Sequence, residues 1–358
     1  MLVSNFIRII ETLLISLIGG IIFSILNIPL PFILGAICFT VIWKVFSKRD
    51  IYVSNVMKDI GFIILGLNFG LYFTLETFKV ASLYMIPYII FTFILIGFCI
   101  VLGYMITKWV KIDKVSSIFS CIPGGLSEMV IASESLGGKS SYVAIFQTIR
   151  LITVLSTVPL LMTHFFSINN QVNPEVGETL QANIPLVHYV WFIIPIIISL
   201  LIKNKLPAGI IIGSLVGTAI LNIGFVQLPP VPERFMYFGQ LLVGASIGKN
   251  ISVEDLKRGG TYSVIYFGIS LLIIVFSIIL GMLLGFFTPL NYATSILSIA
   301  PGGLFEMVLT AYAIGGDPAI VSALQLIRIL MIVLIVPSFL KWLFTRKFKK
   351  QIQSQELP

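Results

Sequence analysis

Residues 121–159 read CIPGGLSEMVIASESLGGKSSYVAIFQTIRLITVLSTVP, and residues 299–337 read IAPGGLFEMVLTAYAIGGDPAIVSALQLIRILMIVLIVP. The second stretch matches the first at an offset of 178 positions without a gap. Pro123 answers Pro301, Gly124 and Gly125 answer Gly302 and Gly303, and Glu128 answers Glu306. Further on, Gly137-Gly138 answers Gly315-Gly316, Gln147 answers Gln325, and Arg150 answers Arg328. About 15 of the 37 positions between the framing prolines are identical, which marks an internal duplication.

The duplication reaches outward at the same offset. Pro29 meets Pro207 and Gly35 meets Gly213; Gly61, Gly66 and Gly70 meet Gly239, Gly244 and Gly248; Lys79 meets Lys257. Two membrane repeats, 1–165 and 185–345, are therefore expected, joined by an external linker at 166–184 and followed by a basic cytoplasmic tail at 346–358.

Composition assigns these copies to lipid. Hydrophobic residues make up 58% of the 358 positions and charged residues 11%, with mean hydropathy +1.06. A soluble domain carries roughly a quarter charged residues, so this chain lacks the polar groups to cover a water-facing surface. The net charge of +8 does not point to nucleic acid, because the Lys and Arg residues gather in short gaps between apolar runs and near the end of the chain. No segment outside those runs is long enough for a folded DNA-binding domain. The first run carries Arg8 and Glu11 and no cleavage site, so it reads as a span and not as a signal peptide. Cys38, Cys99 and Cys121 fall inside apolar runs without metal spacing and read as small buried hydrophobes.

Windows of about 20 apolar residues give spans at 6–26, 30–47, 55–73, 80–107, 115–136 and 140–163, then 186–202, 207–223, 234–251, 260–287, 291–314 and 318–344. The basic residues decide how the copies are oriented. Lys44, Lys48, Arg49 and Lys58 lie in one first-half gap and Lys108, Lys111 and Lys114 in another; the matching second-half gaps, 224–233 and 288–291, have no Lys or Arg. Lys203, Lys205, Lys249, Lys257 and Arg258 occupy second-half gaps whose counterparts hold at most one. A basic bias that changes sides predicts inverted repeats. Inversion needs an odd number of crossings per half, so the runs interrupted by Pro-Gly-Gly are read as broken or re-entrant. The expected fold is an all-α polytopic membrane protein with ten crossings, two broken helices and both termini in the cytoplasm.

A helix that restarts after Pro-Gly-Gly turns its free N–H groups back toward the glycines, which suits an anion or a polar solute. Two such ends meeting near the middle of the bilayer would form a transporter's site. The candidate substrate-binding residues are Gly124, Gly125, Glu128, Gln147 and Arg150, with Gly302, Gly303, Glu306, Gln325 and Arg328. Ionisable side chains in lipid are expensive and mark function by default. Glu128 and Glu306 pair with Arg150 and Arg328 as buried salt bridges, or the arginines hold an anionic substrate and the glutamates carry protons; sequence leaves both open. Glu134 and Asn68 lack polar counterparts, Asp317 has the position of a helix N-cap, and His164 and His188 flank the linker.

PGG-x-x-EM, then GG, then Q-x-x-R, twice in one polytopic chain, resembles the AbrB-type bacterial integral membrane proteins. The resemblance implies an inverted-repeat transporter fold of the sodium–proton antiporter and bile-acid symporter type, in the bacterial plasma membrane. Labels in that family include regulator of gene expression and ammonia monooxygenase. The first copy departs from the pattern where Lys139-Ser140 stands in place of Asp317-Pro318. Oxidation chemistry at copper or iron wants several converging His or carboxylate ligands, and the chain has two His, both outside the motif. The expectation is therefore no enzyme, no metal and no cofactor. The expected function is a secondary transporter or exporter of a small polar or anionic solute, coupled to H+ or Na+. The alternative is an indirect, sensor-like effect on gene expression.

Overall fold

The computed structural model describes residues 2–47, 49, 51–75, 79, 82–110, 112–166, 185–205, 209–251 and 253–355. The side chains of 126–128, 253–259 and 341–355, among others, lie outside the described residues, as does the linker from 167 to 184. The first half forms α1 (Leu2–Ile25), α2 (Pro31–Ser47), α3 (Asn55–Leu71), α4 (Met85–Ile106), α5 (Lys114–Cys121), α6 (Leu126–Ser135) and α7 (Ser140–Phe166). The second half opens on a 3₁₀ segment, Leu186–Phe192, that leads into α8 (Ile193–Ile202). It continues with α9 (Gly209–Gly224), α10 (Glu233–Asn250), α11 (Val253–Phe287), α12 (Tyr292–Ile299), α13 (Leu304–Ala313) and α14 (Pro318–Gln355). There is no strand among the described residues.

Among the described residues, five helices are long and apolar enough to cross a membrane, over Ile7–Ile25, Met85–Ile106, Ser140–Phe166, Gly260–Phe287 and Pro318–Leu340. The remaining elements are shorter. Helices α2, α3, α9 and α10 have 16 to 18 residues, and α8 reaches full length only together with its 3₁₀ turn. Their apolar content is diluted by glycine, serine and threonine, and these small residues make their packing. A Cβ on Gly66 would strike the Ser214 side chain, and one on Gly70 would stand 2.5 Å from Thr218 Cβ. The equivalent contacts recur with the halves exchanged: Gly244 against Ala36 at 2.8 Å, and Gly248 against Thr40. Small residues let backbones approach closely where lipid supplies no hydrophobic drive between helices.

The contact registers fix directions. Gly66 and Gly70 follow Ser214 and Thr218 in the same order, so α3 runs parallel to α9, and by the same test α2 runs parallel to α10. Helices α3 and α10, equivalent by sequence, cross at Gly61 and Gly239, where the ideal Cβ of Gly61 stands 3.0 Å from Gly239 O. At the far end of α10, Lys249 Nζ donates to Val53 O at 2.8 Å, just before α3 begins. These two helices therefore run antiparallel. A second pair of equivalent residues, Phe98 on α4 and Phe276 on α11, stacks at 3.9 Å.

One end of the molecule collects basic residues from both halves. Lys44 Nζ donates to Lys249 O at 2.8 Å and to Ile251 O at 2.6 Å, and Lys203 pairs with Asp59. The opposite end carries Asn222 Nδ2 bonded to Leu71 O at 3.2 Å and His188 Nδ1 near Gln227 O at 3.3 Å. Of the three cysteines, Cys99 and Cys121 are buried as expected, but Cys38 is exposed. Being in an apolar run did not make it a core residue.

If the glycine stripe sets the packing, Gly66→Leu and Gly244→Leu each lose about 1–3 kcal/mol of stability by overpacking. Gly268→Leu, with nothing within 4 Å of its Cβ position, keeps the wild-type melting curve in detergent.

Candidate functional site

Both Pro-Gly-Gly runs interrupt the helix. Helix α5 stops at Cys121 and α12 at Ile299; the residues before the prolines, Ile122 (φ −71, ψ 128) and Ala300 (φ −51, ψ 135), are extended, as a following proline favours. Helices resume at Leu126 and Leu304. Each break is closed by a short bond from the first glycine N–H, Gly124 to Ile122 O and Gly302 to Ala300 O, both 2.8 Å. Met129 and Met307, fully buried, fold over those first glycines; a Cβ on Gly124 or Gly302 would meet their side chains at 2.8 and 2.5 Å. That is the physical content of the Met in PGG-x-x-EM.

A helix that ends inside the protein leaves its last carbonyls without partners. The Q-x-x-R pairs supply them. Gln147 Nε2 donates to Phe119 O at 2.6 Å and Ile122 O at 3.0 Å, while Arg150 donates to Ile122 O at 2.6 Å and Gly124 O at 3.0 Å. In the second half Gln325 Nε2 donates to Leu297 O at 2.6 Å and Ala300 O at 3.3 Å. Arg328 donates to Ile299 O at 3.2 Å, to Ala300 O, and to Gly302 O at 2.7 Å. Every acceptor but Ile299 has its counterpart 178 positions away. Cations at the negative end of a helix dipole are favourably placed, so each guanidinium is held by the half-helix it closes. Both arginines are buried.

The halves also exchange tyrosines. Tyr88 on α4 donates to Ser298 O at 3.1 Å in the other half's broken helix. Tyr266, its equivalent on α11, bonds Ser117 Oγ at 2.9 Å and stacks on Phe146 at 3.7 Å. Gly103 and Gly281 lie against Ile118 Cα and Ile296 Cα, so each long helix presses on its own broken one.

Glu306 sits in the first turn of α13, 3% exposed, folded back so that its carboxylate lies against Gly303. Its Oε2 has no hydrogen-bond partner, and no ion pair joins it to Arg328 among the described residues. Glu306 lines a cavity of about 200 Å³ together with Gly303, Phe62, Phe305, Ile211 and Ile247. Phe62 and Phe305 stack at 5.1 Å. The Glu128 side chain lies outside the described residues, so its pairing with Arg150 does too; Gly125 is exposed at the N-terminus of α6. Gln147 Oε1, Arg150 Nε, Gln325 Oε1 and Arg328 Nε are buried without a partner, the same atoms in both halves.

Other candidates have plain roles. Asp317 Oδ1 accepts from Ala319 N at 2.9 Å and Ile320 N at 3.0 Å, a helix cap. Glu134 and His164 are exposed, and Asn68 is half-buried. The paired glycines after α6 and α13 are helix stops: Gly137 and Gly315 have φ +79 and +73, and the next glycine N–H reaches back to Ser133 O at 2.9 Å and Ala311 O at 2.8 Å. Despite the Lys139-for-Asp317 difference, both backbone N–H groups bond a matching hydroxyl, Ser116 Oγ at 2.6 Å and Thr294 Oγ1 at 2.9 Å.

From sequence the Q-x-x-R pairs are candidate substrate ligands or ion-pair partners, and the structure places them on the free carbonyls before each break. The signal was present: an amide and a cation three residues apart, in both copies, face two truncated helix ends. Replacing Arg328 with Met strands carbonyls whose desolvation costs about 1–3 kcal/mol each. We expect its melting temperature to fall well below that of Glu306→Gln, measured on purified protein.

A 351-residue alignment covers 92% of this chain and 91% of the protein named "Uncharacterized protein YhjN" from Bacillus subtilis (strain 168), at 24% identity. A second, over 261 residues, covers 68% of this chain and 70% of "Putative regulator AbrB" from Escherichia coli (strain K12), at 23% identity. The family model described as "Transition state regulatory protein AbrB" matches residues 32–344. With that match across most of its length, the chain belongs to the AbrB family.

Proposed function

We propose that this protein is a secondary transporter of a small polar solute, anions included, coupled to H+ or Na+, and that the two broken helices form its site. The observation that carries this reading is Glu306: a carboxylate with an unpartnered oxygen, buried at a helix break and lining a cavity. Ionisable groups at such breaks mark ion and solute pathways. In this reading Gly303 and Glu306, with Gly125 and Glu128 in the other copy, meet solute or coupling ion. Gln147, Arg150, Gln325 and Arg328, with Gly124 and Gly302, hold the broken ends and border the pathway.

The antiparallel crossing of the equivalent helices α3 and α10 supports inverted repeats. Five long helices, together with α2, α3, α9, α10 and the joined 3₁₀–α8 segment, make ten crossings. The basic end, with Lys44, Lys203 and Lys249, is the cytoplasmic face of a bacterial plasma membrane under the positive-inside bias, and both termini lie on that side. In a cysteine-free background, cysteines at Arg49 and Lys205 should be protected from an impermeant maleimide in intact cells, and one at Gln227 should react. The reverse pattern would sink the orientation.

Function is tested by metabolite profiling of a deletion strain complemented with wild type or Glu306→Gln at equal membrane abundance. Wild type should reverse the change in the intracellular level of a polar solute, and the variant should leave at least about nine-tenths of it uncorrected, a tenfold loss of function. Identical profiles for the two would place the site elsewhere. The regulator name of the Escherichia coli relative motivates a second proposal, an indirect sensor. Transcript changes that persist in Glu306→Gln would favour it.

A further inference from the structure

We propose that the cavity beside the second break binds a small alkylammonium ion, with its nitrogen on the Glu306 carboxylate and its hydrocarbon part among Phe62, Phe305, Ile211 and Ile247. This deepens the transport reading by naming the chemical class of the solute at that site.

Four observations converge on a cation. The seat that a helix N-terminus offers to an anion is already filled, because the Glu306 carboxylate folds back over Gly303 at the start of α13. A second anion there would face like charge. The arginines are not among the residues lining the cavity, and their terminal nitrogens donate to carbonyls of the breaks. The carboxylate itself keeps an oxygen without a partner, and a buried carboxylate is stabilised by a cation that it can hydrogen-bond. The stacked Phe62 and Phe305 rings, 5.1 Å apart, present aromatic surface of the kind that attracts ammonium groups.

The rest of the lining decides what kind of cation. Apart from Glu306 and Gly303 it consists of phenylalanine, isoleucine and leucine. A hard metal ion takes six or more oxygen ligands, which this wall does not supply, whereas an alkyl group buries its surface against it. The volume of about 200 Å³ holds about six or seven waters at their liquid share of about 30 Å³. That suits a branched ammonium of a few carbons and excludes a large lipophilic cation.

The test uses the full chain in nanodiscs and isothermal titration with three probes of one shape: tert-butylammonium, tert-butanol and pivalate. Tert-butylammonium should saturate at or below about 10 mM, with the alcohol and the carboxylate at least about tenfold weaker. Glu306→Gln should weaken ammonium binding by at least about tenfold, and Glu306→Asp, which keeps the charge, should retain part of it. Pivalate binding as tightly as tert-butylammonium, or undiminished ammonium binding in Glu306→Gln, would overturn the proposal. So would the absence of saturable ammonium binding to wild type. The probe series needs no variant, so a folding defect cannot mask the outcome. Binding is read without flux: failure here beside an intact Glu306-dependent metabolite change refutes the ligand class and leaves transport standing.

Discussion

The structure depends on how two helices can stop in the middle of an apolar protein. A truncated helix exposes carbonyls at one end and amides at the other, and hydrocarbon solvates neither. Here the carbonyl ends of α5 and α12 are closed by Gln147 and Arg150 and by Gln325 and Arg328, and the amide end of α13 carries Glu306. Positive charge sits at the C-terminal end of the helix before the break and the carboxylate at the N-terminal end of the helix after it, each complementing the local dipole. Burying two guanidiniums is costly, and five carbonyl contacts offset that cost.

Packing around the breaks follows from the same economy of small groups. Glycines on α3 and α10 admit the small residues of α9 and α2, and glycines on α4 and α11 admit the broken helices themselves. Hydroxyls at these contacts mostly bond back to their own helix, as Ser214 Oγ does to Ile210 O at 2.9 Å and Thr218 Oγ1 to Ser214 O at 2.7 Å. They bring no unsatisfied group into the contact.

Much of this was legible in the sequence because it is written twice. The paired glycines, the Pro-Gly-Gly breaks and the helix positions all follow from the 178-residue repeat. The function of Q-x-x-R was not legible, since a buried arginine reads equally well as an ion-pair partner, an anion ligand or a carbonyl cap; only its distances to Ile122, Gly124, Ala300 and Gly302 separate these. Nor was the number of full-length spans. Apolar windows give spans at 55–73 and 234–251, whereas α3 and α10 have 17 and 18 residues, pack through glycines against other helices, and are not among the five long enough and apolar enough to cross a membrane. Cys38 shows the converse: apolar surroundings in sequence say nothing about which face meets the bilayer.

The tyrosine exchange has a consequence for how such a chain can diversify. Tyr88 completes the second broken helix and Tyr266 the first, while equivalent residues touch at Gly61–Gly239 and Phe98–Phe276. The two copies of the duplication thus share one interior, each completing the other, much as subunits of a homodimer would if joined end to end. A true homodimer must carry two identical sites, but fusion lifts that requirement. Phe62, which borders the cavity, corresponds to Gln240 in the other copy, so the scaffold can stay alike in both halves while the residues facing each break take on a chemistry of their own.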